Sequence, residues 1–247
     1  LSVLHLVFKG MLFLAVAGLY LQLVRRRGGV GVADMLLLAL VFMAIRPAAA
    51  QPKAEMFSVF FFGLTVWVYV DARMSGRDRF WLLPLVFWAW VNAHGAGLVP
   101  LLLLGALVTG ETVARRTGTA LDPRTYRRLL IFGGLAVIAT AVNPEGPALV
   151  LEGFRSILGF VGGEERLRID EYATRWSRLV PQDVEGASKA VAGWATIGLF
   201  VLQSMAMLRR WRRERTVDPA VVLASLGFFF MGMQMARAGI FYPIFAL

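Results

Sequence analysis

The stretch FWLLPLVFWAWVNAHGAGLVPLLLLGALV, residues 80–108, decides what kind of protein this is. Two apolar runs meet at Asn92-Ala93-His94-Gly95, with arginines outside both: Arg73, Arg77 and Arg79 before, Arg115 and Arg116 after. Neither run alternates in polarity, as a barrel strand would over about ten residues. Apolar runs between charged loops instead indicate helices that cross a bilayer, which takes roughly 20 residues. Gly95 and Gly97 permit a tight turn. The expectation is an antiparallel helical hairpin with His94 at its tip. A first arm of about 12 residues rises only about 18 Å, short of a hydrocarbon core of about 30 Å. The turn therefore belongs partly below the headgroups, bonded to protein groups.

The same grammar extends over the whole chain. Spans are expected at about residues 1–24, 30–45, 54–70, 80–91, 97–114, 128–142, 187–208 and 219–236, with a ninth starting at Ile240. The fold class is all-α: a single polytopic transmembrane bundle of about eight spans over residues 1–247, taken as an incomplete portion of a longer chain. Residues 148–161 carry apolar side chains at helical spacing but are too few to span, which suits an interfacial helix. Residues 162–186 form the one extended hydrophilic stretch, an extracytoplasmic loop. Asp122-Pro123 and Asp218-Pro219 read as helix starts. No span is read as holding a buried acid, and no transporter-like internal repeat is visible.

Hydrophobic residues make up 58% of the 247 and charged ones 17%. That is well beyond the roughly 45–50% and about 25% of soluble domains. The net charge of +10 is arranged for topology. Arg25–Arg27, Arg73–Arg79, Arg115–Arg128 and Arg209–Arg215 fall between alternate pairs of spans, which places all four loops in the cytoplasm. Anionic lipid on that leaflet adds to the pull. A nucleic-acid partner is rejected, because such a surface gathers basic and aromatic residues in a soluble module. The chain has no cysteine and only two histidines, His5 and His94. No resident cofactor is expected, and nothing in the composition supports a divalent metal.

Polar punctuation lies at the other ends of the spans. Arg46 precedes Pro47, which should end the second span. Two readings stand for Arg46: an arginine snorkelling to the interface, or a guanidinium fork for phosphate. His94 caps the hairpin or bonds a carbonyl, or binds a substrate phosphate or assists a proton transfer, and Asn92 beside it is a candidate substrate contact. In Asn143-Pro144-Glu145-Gly146, turn chemistry accounts for Asn143 but does not call for Glu145. Asp170 and Glu171, beside Tyr172 and Trp176, are solvated loop residues or acceptors for sugar hydroxyls. Arg237 stands between two apolar runs and needs an anion or water nearby. Arg46, His94 and Arg237 are expected to converge on one outer-leaflet pocket.

The order of these features resembles the bacterial GT-C-type polytopic glycosyltransferases. Members often carry Arg-Pro-Gln, Trp-x-Asn-x-His-Gly-Gly and Asn-Pro-Tyr-Gly at the places held here by Arg46-Pro47, Trp90-Val91-Asn92-Ala93-His94-Gly95 and Asn143-Pro144-Glu145-Gly146. The chain departs at Ala48, Ala96 and Glu145, where the family has Gln, Gly and Tyr. The resemblance implies a polyprenyl-phosphate sugar donor bound at the outer face of the bacterial inner membrane. It also implies an inverting transfer onto lipid, glycan or protein. Its catalytic acid lies in a first extracytoplasmic loop ahead of these residues, so no catalytic residue is named. The alternative is a non-catalytic membrane subunit packed with other subunits; a transporter comes third.

Overall fold

In a computed structural model, the described residues are 2–26, 29–50, 55–95, 97–162, 184–215, 217–234 and 242. Among them there are nine α-helices and no strand. They are α1 (Ser2–Arg26), α2 (Val32–Ala50), α3 (Glu55–Ser75), α4 (Leu83–Ala93), α5 (Leu98–Thr117), α6 (Pro123–Ala139), α7 (Ala148–Gly162), α8 (Val184–Glu214) and α9 (Pro219–Gln234). A 3-10 turn, Phe80–Leu82, leads into α4.

Each apolar segment within the described residues is helical, but the count of about eight spans is not upheld, and the start of a ninth at Ile240 lies outside the described residues. Among the described residues three helices are long and apolar enough to cross a membrane: Met56–Ser75, Leu98–Thr117 and Lys189–Glu214. They point to a membrane protein. The apolar parts of others are shorter, as at Val32–Ile45, Phe80–Ala93 and Pro219–Met231. A helix of about 14 residues rises only about 21 Å. In α6 the apolar run is cut short by Arg124, Arg127 and Arg128 in its first two turns. The large apolar side chains that face outward, such as Leu14, Trp194 and Met205, suit a lipid environment.

Local signals explain most boundaries. Asp122 caps α6, accepting from the Arg124 and Thr125 N–H groups at 3.0 and 3.1 Å, with Pro123 in the first turn. Gly118 ends α5 in the left-handed region at φ 73°, where the Thr119 N–H reaches the Ala114 carbonyl. Arg46-Pro47 departs from expectation: α2 continues through Pro47 to Ala50. Proline removes one bond, that to the carbonyl of Met43 four residues back, and membrane helices carry such prolines.

The core centres on α3. Some 61% of its apolar window is buried, against 28% for α8, which lies at the periphery. Phe62 packs edge-on to Phe228 at 4.9 Å and to Trp90 at 6.4 Å. Phe200 stacks on Phe229 at 3.9 Å. The principal pairs are α5 with α9, α2 with α8, α4 with α6 and α1 with α3. Apolar burial drives little helix association in lipid, so close backbone approach matters more. A methyl group on Gly110 would overlap the Ala220 backbone, which makes this the tight point of the α5–α9 pair.

The hairpin expectation is corrected by the same packing. The turn after α4 is short, but α4 packs on α6 and α3 while α5 packs on α9. The two arms therefore do not form a paired antiparallel unit. The aromatic face of α4, with Phe87 and Trp90, fits α3, whereas the small Gly110 face of α5 fits α9.

Candidate functional site

Two polar regions lie at opposite ends of α3. At its start stand the polar turns that follow α4 and α6. At its end are gathered three of the four arginine-rich loops.

His94 caps the C-terminus of α4, in extended conformation, with its N–H on the Trp90 carbonyl at 2.9 Å. Its Nδ1 lies 2.5 Å from the Ser58 Oγ. The same hydroxyl oxygen accepts from the Trp90 indole N–H at 2.7 Å. Ser58 and Trp90 are fully buried and His94 is half-buried. Which of Ser58 Oγ and His94 Nδ1 donates in their bond depends on the imidazole tautomer, since the hydroxyl can accept twice or donate once. This line of bonds ties the tip of α4 to the first turn of α3.

Asn92 is exposed, and its amide donates to the Trp88 carbonyl at 2.8 Å and the Val142 carbonyl at 2.9 Å. The second bond draws the turn after α4 against the turn after α6. There the Asn143 amide donates to the Thr140 and Gly146 carbonyls, and its Oδ1 accepts from the Glu145 N–H at 2.9 Å. Gly146 has φ 60°, the left-handed position that closes the turn. The Glu145 side chain is exposed. Leu149, at the start of α7, lies within 3.5 Å of a methyl position on Gly95 and 3.2 Å of one on Gly97.

The structure thus brings together Asn92, His94 and the Asn143–Gly146 turn. It places Arg46 in the last turns of α2, and the Arg46 side chain lies outside the described residues. Asp170, Glu171 and Arg237 lie outside them too, as does most of the polar loop 162–186. Among the described residues, no group of three or more His, Asp or Glu side chains could hold a metal ion.

The arginine end holds what the sequence reading missed. Glu111 of α5 and Asp71 of α3 are completely buried acids, contrary to the expectation that no span would hold one. The Glu111 carboxylate accepts from the Tyr69 hydroxyl at 2.6 Å, the Leu121 N–H at 2.9 Å and the Arg73 guanidinium. Arg73 also donates to the Thr119 carbonyl and pairs with Asp218 at 2.9 Å. Asp218 in turn accepts from the Ala220 N–H, at the start of α9. Asp71 pairs with Arg79 at 2.7 Å and accepts from the Ser75 hydroxyl at 2.9 Å. Arg128 pairs with Asp78 at 2.6 Å, joining the start of α6 to the loop after α3. An acid inside an apolar run, close to the arginine that can answer it, was the available signal. Here that signal marks structural pairing, since each buried carboxylate is matched by a guanidinium.

No family model matches this chain, and neither does any curated protein or solved structure.

Proposed function

We propose that this chain is the membrane part of a GT-C-like glycosyltransferase of the bacterial inner membrane, with a lipid-phosphate-linked sugar donor held at the turn end. The four arginine loops lie in the cytoplasm and the turn end faces the periplasm. The observation that carries the reading is the bond from the Asn92 amide to the Val142 carbonyl, at 2.9 Å. It joins the two turns whose residues resemble the family's motifs, with His94 beside them. In this reading Arg46 and Arg237 take the phosphate through their planar forks. Asn92, His94, Asn143 and Glu145 line the approach, and Asp170 and Glu171 take sugar hydroxyls.

Binding of a polyprenyl monophosphate to the protein in nanodiscs tests this, with the same polyprenol lacking phosphate as control. The phosphate form should bind at least about tenfold more tightly, the scale of a well-placed charged hydrogen bond. Arg237→Ala should remove that preference while the melting temperature holds. Equal binding of the two lipids by the native protein ends the reading. A cysteine at Glu145, the only one in the chain, should react with an impermeant thiol reagent from the periplasmic side; reaction from the cytoplasmic side alone would invert the topology.

The second reading is a non-catalytic membrane subunit. In its favour, the amides of both Asn92 and Asn143 are used on backbone carbonyls, as in a purely structural turn. A transporter stays third: Glu111 is a buried acid in a span, but its carboxylate is held by three donors from the protein itself.

A further inference from the structure

Two groups of arginines among the described residues differ in their partners. Arg73, Arg79 and Arg128 are each paired with a carboxylate at the end of α3 or beside it. On α8 the position is different. Of Arg209, Arg210, Arg212, Arg213 and Arg215, only Arg210 pairs with a carboxylate among the described residues: Glu214, one turn on, at 2.9 Å. All five are exposed.

Their placement is ordered. The apolar part of α8 runs from Lys189 to Leu208, about 20 residues, and rises about 30 Å. That matches the hydrocarbon thickness of a bilayer. The helix then continues without a break to Glu214. This rigid extension emerges at headgroup depth. Arg209, Arg212 and Arg213 stand at spacings of three and four and so share one face. The Arg210–Glu214 pair occupies another face, and Leu208 and Trp211, both about half exposed, a third. Arg215 ends the helix in the left-handed region at φ 54°, with its N–H on the Trp211 carbonyl at 2.8 Å. Its guanidinium lies over the Trp211 ring at 5.2 Å. An indole flanked by cations at the end of a span is the arrangement found at membrane–water interfaces.

We infer that the C-terminal extension of α8 is a binding surface for anionic phospholipid headgroups, with Arg209, Arg212, Arg213 and Arg215 supplying the charge and Trp211 the anchor. The occupant is lipid of the same bilayer, because the surface continues a spanning helix and, among the described residues, Arg209, Arg212, Arg213 and Arg215 pair with no carboxylate. Guanidinium forks suit phosphodiester oxygens, and each basic residue near an anionic surface contributes roughly a fivefold preference. The inference is independent of the glycosyltransferase reading and needs only that α8 spans.

The test uses the whole chain in a mild detergent, titrated with phosphatidylglycerol or with phosphatidylcholine, and follows the melting temperature. The native protein should reach its half-maximal upward shift at a phosphatidylglycerol level at least about tenfold below that for phosphatidylcholine. Replacing Arg209, Arg212, Arg213 and Arg215 with Gln should bring the two lipids within about twofold, with the lipid-free melting temperature unchanged, since these side chains are exposed. Replacing the same four with Lys keeps the charge and should keep the preference. No preference in the native protein, or a preference that survives the Gln replacements, overturns the inference. So does a Lys variant as indifferent to lipid as the Gln variant.

Discussion

At the arginine end the buried acids Glu111 and Asp71 are paired with arginines, and segments distant in sequence are tied together: Arg73 alone joins α3, the loop after α5 and the start of α9. At the turn end the Asn92 and Asn143 amides are neutral, the first exposed and the second half-buried, and they bond to backbone carbonyls of their own and the neighbouring turn. The difference shows how one chain can build a fixed end and an adaptable one. Removing one partner from a buried ion pair leaves a charge without solvation, so the arginine end resists change. A neutral amide on an exposed turn carbonyl can exchange its partner for water or a ligand at small cost. The candidate site belongs at the adaptable end for that reason. The buried acids, though chemically conspicuous, belong to the scaffold.

The sharpest way to break this comparison is at Glu111. Glu111→Ala strands the Tyr69 hydroxyl and the Leu121 N–H and leaves Arg73 with only Asp218 and the Thr119 carbonyl, and should destabilise the protein by about 3–5 kcal/mol. Melting in detergent would read this as a collapse of folded yield. A Glu111→Ala protein that melts like the native one would mean that the arginine end is no lock.

A smaller effect is expected where the two kinds of polar group meet. Ser58→Ala leaves the buried Trp90 indole N–H without an acceptor and should cost about 1–3 kcal/mol. His94→Ala removes only a half-buried partner and should cost less. The reverse order in a denaturation series would show that His94, not Ser58, organises this end.

The smallest effect concerns Asp122, exposed at the start of α6. Its carboxyl is held below the usual aspartate range by hydrogen bonds from Thr125, side chain and N–H, and from the Arg124 N–H. A depressed folded value means that its contribution is present above the unfolded value, about 3.9. It is lost as pH falls through the lower folded one. Asp122→Asn should flatten that acid limb of the stability–pH curve and slightly lower stability near neutral pH, where the carboxylate otherwise contributes. An unaltered acid limb would assign the loss to other carboxylates.

Much of this was legible in the chain itself. Residues 80–91 and 97–114 read as two helices joined by a turn at Asn92–Gly95, and α4 and α5 lie close to those bounds. The start of α6 at Asp122-Pro123 and that of α9 at Asp218-Pro219 followed from capping chemistry, which is local. The short helix after Asn143-Pro144-Glu145-Gly146 was read from its spacing. Composition and the order of apolar segments likewise determined the helical class, because periodicity and loop charge are properties of neighbours in sequence.

What the tertiary structure alone decided was which helices pair and which charges meet. Gly110 in α5 looks like any helical glycine until Ala220 of α9 comes against it. Arg73 looked like one more cation of a basic loop, yet its guanidinium is held by Glu111 and Asp218, residues far along the chain. Ser58 carried no sequence signal, yet it joins Trp90 to His94. In each case the deciding term is a contact between distant segments. Its energy depends on burial and distance, and neither is encoded in the spacing of residues along the chain.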